Sequence, residues 1–424
     1  MLSSRSTLVG IFAAVAFASR LGAAVVCDAD NGGITLPQGF CALVVADNLG
    51  TARHLAVAAN GDLYVALQGA DGGIVALRDT NNDGKFEVKE KVASGNFTGI
   101  GLRNGYLYGA TPNTVVRWKM TAGQLKPSGE METVVQGLPG VRQHGDKGLT
   151  FDGKGSLYVN VGAPSNACQE NDRKTESKGM DPCPILEKNG GIWKFDENKL
   201  GQKQEDGTRF ATGLRQMPAI AWHDDALYIT MNSRDQLDVM WPGKFTAQEN
   251  AERPAEPMFR AVAGAGVPQN NFGWPYCFYD YGLKKFVTMP EYGGDGKSSD
   301  RCGQFTNPVA AFPAHWAPVD MMFYTGSQFP ARYKNGALIA FHGSWNRSPL
   351  AQAGYNVTFQ PFVNGKPSGN FEIFASGFPG TAQLMNPEKA AARPDGVAEG
   401  PDGSLYIGDS QKGKIWRVLY RGGK

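Results

Sequence analysis

The chain has 424 residues, of which 42% are hydrophobic and 19% are charged, so it can bury a large core. Its formal net charge is only +2, and no run of lysine and arginine is long enough to indicate a nucleic-acid-binding surface. The 55 glycines and 25 prolines are typical of a protein with many tight turns between strands. Composition therefore excludes a nucleic-acid partner and favours a turn-rich globular protein.

The N-terminus has the pattern of a secretory signal peptide. A basic residue, Arg5, precedes an apolar stretch from Leu8 to Ala18, and small residues follow it, with possible cleavage near Ala18 or Ala24. The apolar stretch is too short to span a bilayer. We therefore expect residues 1–24 to be a signal peptide, and the mature protein to be secreted, extracellular and without a membrane segment.

The cysteines support an oxidising compartment. All six follow the signal peptide, and an even count in a secreted protein favours disulfides, although six cysteines allow 15 pairings. A metal cluster would need close Cys or His spacing, which the chain lacks. Three sequons, at Asn96, Asn346 and Asn356, also fit a secreted glycoprotein. Sequential pairing is the simplest disulfide arrangement, and it joins Cys27–Cys41, Cys168–Cys183 and Cys277–Cys302.

A short phrase recurs six times along the chain and predicts the fold. In each copy a turn of small or polar residues leads into Leu-Tyr and an apolar residue, or into Leu-Ile-Ala in the copy at Leu338. The shortest intervals between copies are roughly 40–50 residues, as in the blades of a propeller. The repeat therefore predicts an all-β, six-bladed β-propeller over residues 25–424. Its pivot leucines are Leu63, Leu107, Leu157, Leu227, Leu338 and Leu405.

The two ends of the mature chain suggest how such a ring closes. The segment ITLPQGFCALVVADNLG near the N-terminus predicts a strand, and the last copy ends with KGKIWRVLY close to the C-terminus. We expect the early strand to complete the last blade.

The segment DTNNDGKFEVKE fits the spacing of an EF-hand calcium loop, with Asp79, Asn81, Asp83 and a twelfth-position Glu90. Its flanks predict strands rather than helices, so a polar Asn-Asp-Gly hairpin turn explains the same residues. Both a plain turn and a surface calcium site remain open.

Basic and polar residues stand next to several repeat strands. Arginine pairs bidentately with carboxylates, so arginines that converge at one end of the channel would indicate a polyanionic ligand. The alternative is that these residues only form turns and pack between blades. HExxH, GxSxG and GxGxxG motifs are absent from the sequence, which disfavours a zinc hydrolase, a serine hydrolase and a Rossmann dehydrogenase. The candidates are Arg53, His54, His144, Arg215, Gln216, His342, Trp345, Asn346, Arg347, Arg393 and Asp395.

Taken in order, several segments resemble the sorbosone/glucose dehydrogenase family that uses pyrroloquinoline quinone (PQQ), and within it the fungal pyranose dehydrogenases. The resemblance runs from about Ile34 to Tyr420. It is carried by LPQGF, TARHLAVA, RQHGDKGLTFDGKGSLYVNVG, GLRQMPAIAW, NNFGWPYC, AFHGSWNR and RPDGVAEGPDGSLYIGDSQKGKIWRV.

This resemblance implies a six-bladed fold, a tricarboxylate quinone cofactor and oxidation of the C1 hydroxyl of a pyranose or a 2-keto sugar. His144 would accept the proton of the sugar hydroxyl, because the pKa of histidine lies near working pH. Arg215 would stabilise developing oxyanion charge. Gln216 stands where the family more often has asparagine.

The resemblance also implies one calcium ion, held by the backbone carbonyls of Ser233 and Arg234. Further cofactor contacts would come from His342, Trp345, Asn346, Arg347, Arg393 and Asp395. Arg53, His54 and Gln143 would lie on the sugar side.

The resemblance further suggests a monomer that passes electrons to an acceptor other than oxygen, such as a cytochrome b or a copper monooxygenase. Two other functions stay open at this stage. One is a calcium-dependent propeller lactonase, and the other is a non-enzymatic propeller that binds glycan or protein.

Overall fold

A computed structural model describes residues 25–422, which form six β-sheets arranged around one axis. The predicted signal peptide, residues 1–24, lies outside the described residues. Within residues 25–422, none of the helices is both long and apolar enough to cross a membrane.

Each blade contains four antiparallel strands, as the repeat predicts. The first strand of the chain, β1, covers Phe40–Ala46. Blade 1 contains β2 (Ala52–Val57), β3 (Leu63–Leu67), β4 (Gly73–Arg78) and β5 (Val88–Ser94). Blade 2 contains β6 (Gly99–Arg103), β7 (Tyr106–Ala110), β8 (Val115–Lys119) and β9 (Glu132–Gln136). Blade 3 contains β10 (Leu149–Phe151), β11 (Ser156–Val161), β12 (Gly191–Asp196) and β14 (Thr208–Thr212), while the short β13 (Gln202–Lys203) pairs in parallel with β9.

The second half of the ring follows the same order. Blade 4 contains β15 (Ile220–His223), β16 (Ala226–Thr230), β17 (Glu256–Val262) and β20 (Ala310–Phe312). Its rim carries the hairpin β18 (Cys277–Asp280) and β19 (Lys285–Thr288). Blade 5 contains β21 (Pro318–Phe323), β22 (Ala337–His342), β23 (Tyr355–Gln360) and β26 (Glu372–Ala375), with a hairpin of β24 (Phe362–Val363) and β25 (Lys366–Pro367). Blade 6 contains β27 (Pro394–Glu399), β28 (Leu405–Asp409) and β29 (Ile415–Tyr420), with β1 as its fourth strand.

Helices are short and lie in the connections. The α-helices among the described residues are α1 (Leu237–Met240), α2 (Ala247–Glu252) and α3 (Gly266–Gln269). The 3-10 turns cover Asn31–Gly33, Pro184–Glu187, Gln204–Asp206, Pro290–Tyr292, Ala331–Tyr333 and Pro387–Lys389.

The predicted six-bladed propeller is confirmed, and every copy of the phrase forms the second strand of a blade. Because side chains alternate along a strand, Leu and Tyr of one copy face opposite neighbouring blades: Leu63 packs toward blade 6 and Tyr64 toward blade 2. The copy in blade 5 differs by one residue. There Ala337 pairs with the last residue of the inner strand, as Leu63 does in blade 1, so Leu338 takes the tyrosine position.

The ring closes through the two ends of the chain, as expected. β1 pairs antiparallel with β29, from Phe40 opposite Tyr420 to Ala46 opposite Ile415. The indole Nε1 of Trp416 also donates to the carbonyl of Gly32 at 3.0 Å. Phe40 packs edge-on against aromatic rings of blade 5, with ring centroids 4.8 Å from Phe329 and 5.1 Å from Phe374. The first strand is therefore held to blade 6 by strand pairing and to blade 5 by aromatic packing.

The six inner strands, β2, β6, β10, β15, β21 and β27, line the axis, and neighbouring inner strands touch around the ring. Three glycines allow this close approach. A Cβ at Gly99, Gly148 or Gly396 would lie 2.0–2.4 Å from a backbone carbonyl oxygen of the next inner segment. Only glycine avoids that collision, so these positions fix the width of the ring.

Apolar cores fill the wedges between blades, and a further cluster lies beneath the rim insertions. This cluster joins Cys168 and Cys183 to Leu237, Trp241 and Trp274. The sequential disulfides are confirmed: Cys27–Cys41, Cys168–Cys183 and Cys277–Cys302. The second and third staple loops of the rim.

The Asp79 loop is a hairpin connection between β4 and β5, so its flanks are strands as the sequence indicates. The carboxylates that come together in this loop are not the set that the EF-hand spacing predicts. Oxygen atoms of Asp79, Asp83 and Glu87 lie within 4.8 Å of one another, whereas Glu90 lies in β5 opposite Ala76. The assignment of Glu90 to this loop is wrong because the strand begins before it. Asn81 donates to Asp83, and calcium binding at this loop stays a prediction.

The sequons differ in accessibility. Asn356 is buried in β23, and the amide of Asn346 donates to Asp235 at 2.9 Å inside the molecule. Asn96 is only partly buried and accepts from the amide of Gly69. The structure thus leaves Asn96 as the sequon with space for a glycan.

Phe40→Ala should weaken ring closure, because it removes one ring from an aromatic cluster that joins blades 5 and 6. We expect the free energy of unfolding to fall by about 3 kcal/mol in chemical denaturation. Ile373→Ala, an exposed aliphatic change beside the same cluster, is the matched control and should have little effect. Equal effects of the two changes would contradict the closure role of Phe40.

Candidate functional site

A polar cavity of about 310 Å³ opens at the end of the axis where the inner strands begin. It is built by segments of blades 1, 3, 4, 5 and 6, because each inner strand is preceded by a loop on this face. Most of the predicted site residues meet here. Those that line the cavity are Arg53, Arg215, Gln216, Ser233, His342, Trp345, Asn346 and Arg393.

Arg215 is the most deeply buried cation of the site. Its Nη2 donates to Asp235 at 2.6 Å, and its Nη1 donates to the carbonyl of Ser233 at 2.8 Å. Burial alone would raise the pKa of Asp235, but Arg215, His315 and Arg173 hold it well below its usual range. The pair is therefore ionic, and Asp235 compensates a guanidinium that has almost no contact with water.

His144 lies next to Arg215 but is not among the residues that line this cavity, and its backbone is in the left-handed region with φ 59°. Gly162 is required behind it, since a Cβ there would lie 2.2 Å from the carbonyl of His144. The Nδ1 atom lies 2.6 Å from the carbonyl of Ala163. A carbonyl only accepts, so Nδ1 carries the hydrogen and Nε2 has a free lone pair.

The environment of His144 keeps the ring neutral. Burial is the largest cause, and the neighbouring Arg215 cation adds to it, so the pKa of His144 falls to about 3. The ring is therefore neutral at neutral and mildly acidic pH, and the Nε2 lone pair carries no proton. Gln143, the preceding residue, bonds to Asp172 and Arg173 rather than lining the cavity.

Arg53 forms a second ionic centre. Its guanidinium lies 2.7 Å from Asp146 and 2.7 Å from Asp395. Asp395 is fully buried beneath Arg53 and does not line the cavity. Burial raises the pKa of Asp395 to about 7, against the pull of Arg53. One arginine thus faces the cavity with two carboxylates behind and beside it.

His342 and Arg393 join blades 5 and 6 at the cavity wall. His342 Nε2 bonds to the hydroxyl of Ser410 at 2.7 Å, while Arg393 donates to the carbonyls of His342 and Gly343 at 3.1 and 2.9 Å. Burial, Arg393 and Arg53 lower the pKa of His342 well below its usual value. His342 is therefore a neutral hydrogen-bonding group.

Two further predicted side chains, those of His54 and Arg347, point away from this cavity, whereas Arg234 was predicted to act through its backbone carbonyl. His54 bonds to the carbonyl of Val319 and lies in a pocket nearer the other end of the axis, because β2 is bulged between Ala52 and Leu55. The guanidinium of Arg347 donates to the backbone carbonyls of Ala314 and Ala351 and to that of Ala251 in α2, so it braces the rim instead of the cavity. The side chain of Arg234 forms a fully buried pair with Glu291 at 2.6 Å.

Four of the ten buried side-chain polar atoms that lack a hydrogen-bond partner in the described residues lie at this cavity. Among the described residues, Arg53 Nε, Asn232 Oδ1, Ser233 Oγ and Asn346 Oδ1 are buried and make no hydrogen bond. All four residues line the cavity. Unpaired buried groups are costly, so such a cluster indicates a site built to be completed by a ligand.

Sequence reasoning missed several lining residues: Asp146, Asn232, Asp235, Glu256 and His315. Asp146 lies two residues after His144, and Asp235 follows Arg234 directly, so proximity in the chain could have found both. Burial raises the pKa of Glu256 to about 8. Glu256 and His315 carry no local signal, since a strand and a long rim loop bring them in.

The fold and cavity define a six-bladed propeller with an arginine-lined axial site. A family model described as TrAA12-like matches residues 34–421, and the chain belongs to this family. The described fold is also similar to solved structures. A Trichoderma reesei carbohydrate-active enzyme of family AA12 has TM-score 0.74 and 18% identity, over 92% of this chain and 98% of that one.

The holo PQQ domain of a pyranose dehydrogenase from Coprinopsis cinerea has TM-score 0.71 and 18% identity, over 91% of this chain and 97% of that one. A curated relative, the PQQ-dependent pyranose dehydrogenase of Coprinopsis cinerea, is 29% identical over 205 residues, or 44% of this chain. The chain spans 36% of the length of one curated relative and 27% of the length of the Coprinopsis cinerea pyranose dehydrogenase.

Asp235→Asn should destabilise the fold, because it leaves the buried Arg215 guanidinium without a compensating charge. We expect a loss of about 3 kcal/mol in the free energy of unfolding at neutral pH, measured by denaturant titration. Asp225→Asn removes a carboxylate from the exposed pair with Lys154 and serves as the control, with an unchanged midpoint. If both midpoints stay unchanged, the Arg215–Asp235 pair does not stabilise the fold.

Proposed function

We propose that this chain is a secreted, PQQ- and calcium-dependent dehydrogenase that oxidises the C1 hydroxyl of a pyranose or a 2-keto sugar. The observation that carries the proposal is the cavity itself. Three arginines, Arg53, Arg215 and Arg393, and a cluster of unpartnered buried polar atoms surround it, while His144 stands beside it with a free Nε2. Family membership and the PQQ-dependent relative support the same conclusion.

The residues present fit a tricarboxylate cofactor. Guanidinium groups pair well with carboxylates, and Arg53 has a buried Nε without a partner at the cavity wall. Gln216, at the position where the resemblance expects asparagine, lines the same wall. When bound, PQQ supplies a quinone that accepts hydride from C1 of the sugar.

His144 acts as the base in this reaction. Its Nδ1–H is fixed by the carbonyl of Ala163, so Nε2 accepts the proton of the C1 hydroxyl. Arg215 stabilises negative charge that develops nearby. Contacts with Asn166, Asn232, Ser233 and Asp235 leave one N–H of the five on its guanidinium free to donate into the cavity.

Calcium has oxygen ligands available at the same wall. The carbonyl of Ser233 accepts from Nη1 of Arg215 and keeps one lone pair, and the amide oxygens of Asn232 and Asn346 are buried without a donor. Carbonyl and amide oxygens are the ligands that calcium takes in proteins. These residues therefore fit a cation, together with the carbonyl of Arg234 that the resemblance implies.

Electrons would leave for an acceptor other than oxygen, such as a cytochrome b or a copper monooxygenase. Trp345 is 51% exposed and also lines the cavity, so the mouth presents an aromatic surface to such an acceptor. Three disulfides among the described residues support an extracellular location.

A lactonase is less well supported by the same cavity. That chemistry needs carboxylates free to hold a metal, whereas Asp146 pairs with Arg53, Asp235 pairs with Arg215, and Glu256 accepts from the amide of Ser233 at 2.7 Å. Each carboxylate that lines the cavity already has a donor.

The deciding experiment is a titration of metal-stripped protein with PQQ, with and without calcium, followed by dye reduction with a panel of sugars. We expect stoichiometric binding that depends on calcium, and sugar-driven reduction of the dye. A panel of lactones, assayed for hydrolysis in parallel, tests the alternative lactonase activity. Absence of PQQ binding in the presence of calcium would overturn the proposal, and lactone hydrolysis or glycan binding without PQQ would replace it.

His144→Ala should separate cofactor binding from turnover. Because His144 is proposed to move a proton rather than to hold PQQ, we expect binding close to that of the wild type and turnover lower by roughly a hundredfold or more. Calorimetry measures the first and dye reduction at saturating PQQ measures the second. Normal turnover per bound cofactor would show that another group is the base.

A further inference from the structure

A disulfide-stapled insertion of blade 3 reaches the candidate site from outside the ring. It runs between β11 and β12, and Cys168–Cys183 closes the loop that contains Asp172 and Arg173. Both cysteines are buried in the rim cluster. The insertion is thus fixed at its base, and its Arg173 reaches Asp235, a residue that lines the cavity.

Arg173 makes an unusual number of specific contacts for a loop residue. Its guanidinium donates to Gln143 Oε1 at 3.0 Å, to Gln236 Oε1 at 2.8 Å and to Asp235 Oδ2 at 3.2 Å. Its backbone is in the left-handed region with φ 57°, and its amide donates to Gln169 at 2.8 Å. A strained conformation of this kind persists only where surrounding contacts hold it.

Asp172 binds the other end of the Gln143 amide. Its carboxylate accepts from Gln143 Nε2 at 2.8 Å, from Ser165 Oγ at 2.7 Å and from the amide of Asn166 at 3.0 Å. Both ends of the Gln143 amide are therefore held by consecutive residues of the insertion. Gln143 in turn precedes His144 directly in the chain.

The same tip reaches the ionic pair of the cavity. Asp235 Oδ2 receives Arg173 and Arg215 together, and Asn166 bonds through its side chain to the backbone of Asp235. One short segment thus connects the loop that carries His144 with the carboxylate that holds Arg215. Nothing in the repeat pattern of the blades requires this connection.

We propose that Asp172 and Arg173 are positioning residues, which hold the Gln143–His144 loop in register with the Asp235–Arg215 pair. The role rests on the proposed function, in which His144 and Arg215 act on the same substrate. Reacting groups misplaced by about 1 Å lose much of their rate, so loss of this bridge should lower turnover more than binding.

The test compares Arg173→Ala with Lys174→Ala. Lys174 is exposed, and within residues 25–422 its side chain makes no hydrogen bond or ion pair, so the control removes one positive charge from the same loop. Amide hydrogen exchange of the full protein without PQQ is the first readout. We expect faster exchange over residues 141–146 in Arg173→Ala, with the rest of the stapled insertion and the unfolding midpoint unchanged.

The second readout is turnover at saturating PQQ and calcium. We expect kcat to fall by roughly tenfold in Arg173→Ala with the PQQ stoichiometry retained. Gln143→Ala should produce a similar loss. The double variant should be no slower than either single variant, because the two residues act through one contact.

The outcomes separate the two proposals. Faster exchange confined to residues 141–146, together with non-additive losses of kcat, supports the positioning role. Unchanged exchange in that segment, or faster exchange throughout the insertion with a lower midpoint, overturns it. If the wild-type protein shows no turnover with any sugar, the proposed function fails, and the exchange comparison alone decides whether Arg173 holds the loop.

Discussion

The pairing of the first strand with the last is the constraint on which the rest of the structure depends. β1 supplies the fourth strand of blade 6, so the last blade in sequence is completed by the first strand of the chain. Without that pairing, β29 would be an edge strand and the wedge between blades 6 and 1 would be open. Arg53, His342 and Arg393 stand on the blades at this junction. The geometry of one side of the cavity therefore depends on a contact between the chain's two ends, and the ring of inner strands transmits that contact to the remaining blades.

Strand periodicity explains why the architecture could be predicted from the sequence. Each blade repeats the turn and the Leu-Tyr pair because every blade packs between two neighbouring blades. The same packing requirement therefore selects the same residues in each copy. Blade 5 shows the limit of the pattern. The phrase there slips by one residue, because Ala337 fills the leucine position and Leu338 the tyrosine position, and only the pairing register reveals it. The sequential disulfides followed from the same local logic, since each one closes a single loop.

Site residues could be predicted only where a side chain of suitable chemistry stands next to a repeat strand in the sequence. Arg215, Gln216, His342 and Arg393 precede or follow a repeat strand, and the fold brings such positions together at one end of the axis. His54 and Arg347 satisfy the same description, yet a bulge turns one toward Val319 and backbone carbonyls capture the other. Glu256, His315 and Arg173 could not be found this way. Long-range packing of rim loops places them, and no spacing in the sequence records which carboxylate will compensate which arginine.

The close packing of the inner strands at their glycines affects how reactants reach the candidate site. The cavity at one end of the axis and the pocket at the other, which holds His54, His223 and Asp320, share no lining residue in the described part of the chain. Between them, Gly148 brings its inner segment against the carbonyl of Pro218, too close for any side chain. The two pockets are therefore separate in the described part of the chain. In a dehydrogenase of the proposed kind, sugar, oxidised product and electron acceptor would then share the end of the axis at which the candidate site opens, and such sharing favours ping-pong kinetics and mutual inhibition when both reactants are abundant.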